Sequence, residues 1–137
     1  MRYLGLDLGR ATIGLALADD VLHTAQPLET VRRSTVAADL AALRRVAEEY
    51  EVSRVVLGLP LNMDGSEGPS AQLARRFASK VEDALGVPVQ LYDERLSTFE
   101  AASRLRARGI SARDQRGIID AEAAAVILQG WLDTDRA

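Results

Sequence analysis

A chain of 137 residues fits one domain by the usual size relation and is long enough to bury roughly two-thirds of the surface its unfolded form exposes. The absence of cysteine excludes a disulfide framework and any thiolate metal site. No apolar stretch approaches the roughly 18 residues of a spanning helix, and no basic-then-apolar leader opens the chain, so a soluble, cytoplasmic protein with no membrane partner is expected. A net charge of −3 gives no support to bulk attraction for nucleic acid.

The opening run Arg2 to Leu8 alternates as a strand should, with Leu4, Leu6 and Leu8 on one face and Tyr3, Gly5, Asp7 and Gly9 on the other. Thr12–Ala18 forms a second strand and Val21–Val31 a third, with a hairpin turn at Asp19-Asp20. Ser34 or Thr35 can cap a helix whose apolar positions Val36, Leu40, Leu43, Ala47 and Tyr50 recur at helical spacing. Arg54 to Pro60 is apolar nearly throughout, as expected of a strand buried on both faces. A polar, glycine-rich loop from Asn62 to Pro69 leads into a helix with Leu73, Phe77, Val81 and Leu85 inward, ending near Gly86, and Val87–Tyr92 supplies a fifth strand. Ser97 to about Arg108 is helical, with a Ser97-x-x-Glu100 capping box and Gly109 closing it, and a last, alanine-rich helix runs from about Ile118 to Leu132. This order predicts an α/β fold, a five-stranded mixed sheet with helices on both faces, in a single domain spanning 1–137.

Three acids stand where chemistry would want them. Asp7 is isolated among apolar residues, where an unpaired carboxylate costs several kcal/mol without a compensating partner; its neighbours Gly5 and Gly9 would let a metal ion or a phosphodiester approach. Glu94 follows the fifth strand, on the side where open α/β sheets bind ligands. Asp120 lies in the first turn of the last helix, where the helix dipole favours a negative charge. Oxygen-only ligation selects Mg²⁺ or Mn²⁺ over zinc. Each acid also has a structural alternative: an arginine bridge for Asp7, a surface pair with Arg95 or Arg54 for Glu94, simple helix capping for Asp120. His23, the one histidine, falls at a turn. Arg104, Arg106, Arg108, Arg113 and Arg116 crowd together and suit bidentate phosphate contacts, though a solvated helix face explains them equally well.

Four segments carry a family resemblance: Leu6-Asp7-Leu8-Gly9 with Ile13-Gly14; Gly58 to Ser66; Asp93 to Thr98 with Glu100-Ala101; and Ile119-Asp120-Ala121 running into Ala123-Ala124 and Ile127-Leu128. In this order and spacing the sequence resembles the YqgF/RuvX family, bacterial proteins with an RNase H-like fold related to RuvC-type Holliday junction resolvases. The resemblance implies a metal-dependent phosphodiesterase with Asp7, Glu94 and Asp120 as catalytic acids holding Mg²⁺ or Mn²⁺, and it implies hydrolysis of pre-16S rRNA at its 5′ end or, alternatively, of four-way DNA junctions. It further implies backbone contacts from Arg10, Asn62, Ser66, Arg95, Thr98, Arg113 and Arg116.

Departures from the pattern are specific. The basic residue that members commonly carry before Ile13-Gly14 is Thr12 here, with Arg10 nearby. Arg113 and Arg116 replace lysines before the last helix. Compared with true resolvases, the strand ending at Pro60 is followed by Asn62 instead of a carboxylate, which leaves Glu94, or less favourably Asp64, as the second acid. A nucleic-acid-binding factor that lost efficient hydrolysis is a further alternative. An ATPase of the actin and sugar-kinase type would need two such domains. Cutting a junction twice would call for a homodimer, whereas trimming rRNA would not.

Overall fold

The computed structural model describes residues 1–95, 97–111, 114–115 and 118–134, with the side chain of Thr98 left out. Its elements are β1 (Arg2–Leu8), β2 (Thr12–Asp19), β3 (Gln26–Arg32), α1 (Val36–Glu49), β4 (Val52–Leu59), α2 (Pro69–Leu85), β5 (Val89–Asp93), α3 (Ser97–Ala107) and α4 (Ile119–Thr134). The strands form one sheet in the order β3-β2-β1-β4-β5. The first three strands are antiparallel, while β1, β4 and β5 run parallel. The mixed five-stranded sheet expected from the sequence is therefore present.

The period of two in β1 divides the core into two layers. Leu4 and Leu6 join Leu43, Val46, Phe77 and Val81 under α1 and α2. Tyr3, on the opposite face, joins Ala124, Ile127, Leu128 and Leu132 of α4. Helices thus cover both faces, and α4 comes unusually close to its own. A Cβ added at Gly5 would sit 2.8 Å from Leu128 Cβ and 3.0 Å from the Ala124 carbonyl oxygen. The gap at Gly5, expected to admit a metal or phosphate to Asp7, is filled by α4 instead.

Other boundaries shift for identifiable reasons. The connection after β2 is a longer loop than the two-residue turn expected, because Asp19 Oδ1 accepts the Leu22 amide at 2.7 Å and His23 takes a left-handed φ of 56°. Val21 and Leu22 are consequently exposed, and β3 begins at Gln26. Thr35, the N-cap of α1, accepts the Ala38 amide at 3.1 Å. Leu73 faces solvent, since the inward stripe of α2 is Ala71, Ala74, Phe77, Ala78 and Val81. The capping box at α3 does not form: the Glu94 carbonyl accepts the Ser97 amide at 3.0 Å, and Glu100 reaches forward to Arg104. Gly86 and Gly109 end their helices with φ of 71° and 83°, as expected of left-handed caps.

The contact at Gly5 is tight enough to test. Gly5→Ala should destabilise the protein by about 1–3 kcal/mol, the usual range for overpacking, in urea unfolding followed by circular dichroism. An unchanged midpoint would show that α4 can lift from the sheet without cost.

Candidate active site

Asp7 stands near the end of the central strand, and the sheet supplies its surroundings. Across β2 it pairs with Gly14; one residue beyond the Leu6–Leu57 pair on β4 lies Gly58. Laterally paired residues share a face, so both glycines lie beside the Asp7 carboxylate on the α4 side. The space a Cβ would occupy at Gly14 is taken by the backbone of Asp120, and at Gly58 by the Glu94 side chain and Ile127. Two acids therefore fold over the glycines on either side of Asp7.

Each acid is placed by its own element. Asp120 sits in the first turn of α4 and accepts the Thr12 hydroxyl at 2.5 Å. Glu94 follows β5, its amide donating to the Leu59 carbonyl at 3.1 Å, which folds the chain back across the end of β4. Glu94 Oε1 is buried and has no hydrogen-bond partner among the described residues. Both expected structural partners of Glu94 are engaged elsewhere: Arg95 pairs with Asp93 at 2.7 Å, and Arg54 lies against Gln90 and the Trp131 ring. Asp7 forms no ion pair among the described residues.

Electrostatics follows from this crowding. Burial, then repulsion from Asp120, pushes the Asp7 carboxyl up from 3.8 to about 6. Burial, then the charges of Asp7 and Asp93, pushes Glu94 up from 4.5 to about 8. The order is physically coherent, because Glu94 still carries its proton while Asp7 ionises, so the mutual repulsion falls on Glu94.

The donor chemistry suits a hard dication, with oxygen ligands only, one of them an orphaned buried carboxylate oxygen. Among the described residues, however, no three Asp, Glu, His or Cys side chains already converge into a cage. Glu94 and Asp120 flank Asp7 from opposite sides, and Asp120 is held by Thr12.

The other expected contact residues divide into three groups. Arg10 is exposed in the β1–β2 turn and forms no ion pair among the described residues. Asn62 and Ser66 close a self-contained turn: Asn62 Nδ2 donates to Ser66 Oγ at 2.9 Å, and Asp64 Oδ1 accepts both the amide and the hydroxyl of Ser66. Arg95 braces that turn by donating to the Met63 carbonyl at 3.1 Å. Asp64 is thus occupied within its loop. Arg113, Arg116 and the Thr98 side chain lie outside the described residues. Within the arginine cluster, Arg108 and Arg104 are held by the buried Glu122 at 2.7 and 3.7 Å, fixing α3 to α4. Sequence reasoning missed the roles of Glu122, Gly14 and Gly58, although a lone acid in an alanine-rich helix was a signal for the first.

Comparison with known proteins fits this geometry. The family model described as "RuvX: Holliday junction resolvase" matches residues 1–134. An Anaeromyxobacter dehalogenans protein named as a candidate pre-16S rRNA nuclease is 71% identical over 133 residues, covering 97% of each chain. A Myxococcus xanthus protein of the same name is 56% identical over 136 residues, covering 99% of this chain and 90% of that one. Among solved structures, T. thermophilus RuvC in complex with a Holliday junction substrate aligns with a TM-score of 0.57 at 22% identity, covering 96% of this chain and 93% of that one. The last likeness shows the fold, the RNase H-like arrangement expected from the sequence.

The raised carboxyl pKa values fix a sign for pH dependence. Groups raised in the folded state contribute stability that is complete below their ordinary values and is lost as pH climbs through about 6 for Asp7 and about 8 for Glu94. The metal-free Tm should fall as pH rises through that window. Glu94→Gln, which cannot ionise, should melt at least about 3 °C above wild type near pH 9 and should match it at about pH 4, below the ordinary carboxyl value. Superimposable melting of the two proteins across this range would contradict the buried placement of Glu94.

Proposed function

The chain belongs to the RuvX Holliday junction resolvase family, and from that premise we propose that it is a divalent-metal-dependent endonuclease that hydrolyses phosphodiester bonds in structured nucleic acid. Its substrate is the 5′ end of pre-16S rRNA, in line with the names of relatives at 71% and 56% identity. Four-way DNA junctions are the second reading, favoured by the family description and by the junction-bound RuvC neighbour. The observation that carries the proposal is the orphaned, buried oxygen of Glu94 beside an Asp7 whose carboxyl is itself held above its ordinary range. Buried carboxylates left without a cation partner lower stability, and such placement is what a functional site needs.

Asp7, Glu94 and Asp120 are the residues that would hold Mg²⁺ or Mn²⁺. When bound, the ion supplies Lewis acidity to the attacking water and to the leaving oxygen. Everything else in the site is the work of this chain. Asp7 provides the central charge, ionised at neutral pH because its pKa of about 6 lies below it. Glu94 keeps its proton until a cation compensates it, which ties metal capture to pH. Thr12 steadies Asp120 from the neighbouring strand by donating to Oδ2, which orients the carboxylate while its other oxygen is left for an ion. In this proposal Arg10, Asn62, Ser66, Arg95, Thr98, Arg113 and Arg116 supply the contacts to the sugar-phosphate backbone. The protein acts in the cytoplasm as one catalytic domain, and cutting a four-way junction twice would require two copies.

A labelled rRNA precursor retaining its 5′ leader, and a labelled four-way junction, offered separately with Mg²⁺, Mn²⁺ or EDTA, test this directly. Cleavage of one substrate should appear with either ion and vanish with EDTA. Asp7→Asn should lower the rate more than 100-fold, beyond the roughly 10–100-fold typical of groups one layer further from a metal, while the circular dichroism spectrum is retained. A variant as active as wild type would show that the hydrolysis originates elsewhere.

A further inference from the structure

Past the carboxyl ends of β1 and β4, on the opposite face from α4, lies a groove of about 360 Å³ between α1, α2 and the β1–β2 turn. Arg10, Arg33, Arg76 and Lys80 line it, including the only lysine of the chain, and no acid does. In a protein of net charge −3 this is a local reversal of sign. Arg33 is tied to the scaffold: it donates to the Gly9 carbonyl at 2.7 Å, pairs with the buried Asp39 at 3.4 Å and lies over the Phe77 ring. Arg10, Arg76 and Lys80 form no ion pair among the described residues and project from exposed positions.

Apolar side chains stand between these cations. Leu73 is 56% exposed and Val36 is 40% exposed. Leu73, Arg76 and Lys80 share one stripe of α2 at spacings of three and four, so a single helix face sets an apolar group beside two cationic ones. The groove meets the site at Gly9 and Pro60, the residues just past the ends of β1 and β4.

We propose that this groove holds a single-stranded segment of the nucleic acid adjoining the bond to be cut, an inference that rests on the nuclease reading and extends it. Positive charge without acids selects a polyanion. A duplex presents mainly phosphates and ordered grooves, whereas exposed Leu and Val between the cations can meet the faces of unstacked bases. A second copy of the chain seated two-fold on the same surface would bring four cations against four cations. The strand passes from the acids over the Gly9–Arg10 turn, with Arg10 as its first contact and Arg76 and Lys80 next along the helix.

The test is fluorescence anisotropy on the full chain in EDTA, so that nothing is cut, using a fluorescein-labelled single-stranded RNA and the same RNA annealed to its complement. Arg76→Glu with Lys80→Glu should raise the Kd for the single strand at least tenfold, and more than for the duplex. Arg76→Ala with Lys80→Ala should reduce the slope of log K against log salt by about 1.4, at about 0.7 per lost single-strand phosphate contact. Leu73→Ser should weaken the single strand alone. All three changes are at exposed helical positions, and thermal melting confirms folding.

Unchanged single-strand affinity and slope overturn the proposal, as do equal losses on single strand and duplex, or a wild-type protein that binds no single strand. A dimer in sedimentation that the charge reversals dissociate, with strand binding intact, would assign the surface to self-association and equally overturn it. Groove-dependent binding by a protein that never cleaves would sink the nuclease reading and leave the groove standing. Asp7-dependent cleavage with an inert groove would do the reverse.

Discussion

The position of Asp7 depends on what its neighbours in the sheet lack. Gly14 and Gly58 flank it on β2 and β4, and the space their side chains would take is filled by the Asp120 backbone and by Glu94. Gly5, two residues earlier on β1, admits Leu128 of α4 in the same way. One side chain at any of these positions would lift α4 or expel Glu94. Close helix–sheet packing and the gathering of acids are therefore a single constraint, met by glycine on three adjacent strands and by alanine on the facing helix.

That packing also produces the electrostatics. Strand and helix come so close that little water reaches the carboxyls, and burial is the largest contribution to the raised pKa of both Asp7 and Glu94. Repulsion between acids adds to it. A site assembled this way is under tension at neutral pH, with one carboxyl ionised against its surroundings and another keeping its proton. Compensation by a cation relieves both, which is why the arrangement suits a metal-dependent enzyme better than a structural role.

How far this was legible in the sequence depended on whether a feature is local. The alternation around Asp7 correctly separated Leu4 and Leu6 from Tyr3, and left-handed glycines marked the ends of α2 and α3. Side-chain competition was not legible. The Ser97–Glu100 capping box looked secure until the Glu94 carbonyl claimed the Ser97 amide, a contact set by the path from β5 into α3. The arginine cluster resolved into Arg104 and Arg108 fixed by Glu122, an exposed Arg106 beside Ser103, and Arg113 and Arg116 outside the described residues. The role of Gly14 and Gly58 was equally hidden, because it lies in what crosses above them from elements far away in sequence. Gly5 carried the opposite lesson: a glycine beside an acid looked like an opening for a ligand and proved to be a seat for a helix.

A cluster of acids is a poor place to hold a phosphodiester, since each ionised carboxylate repels it until a cation intervenes. Affinity for the rest of the strand must come from somewhere the acids do not reach. The sheet provides that separation: alternate residues of β1 send Asp7 to one face and Leu8 to the other, so the acids sit under α4 while the cations of α2 sit on the opposite face. Arg33, fixed to Gly9, Asp39 and Phe77, keeps positive charge at the crossing point. Net charge conceals this division completely. In the proposed reading, attraction and chemistry occupy opposite faces of one strand end, and Gly9 and Arg10 form the short bridge between them.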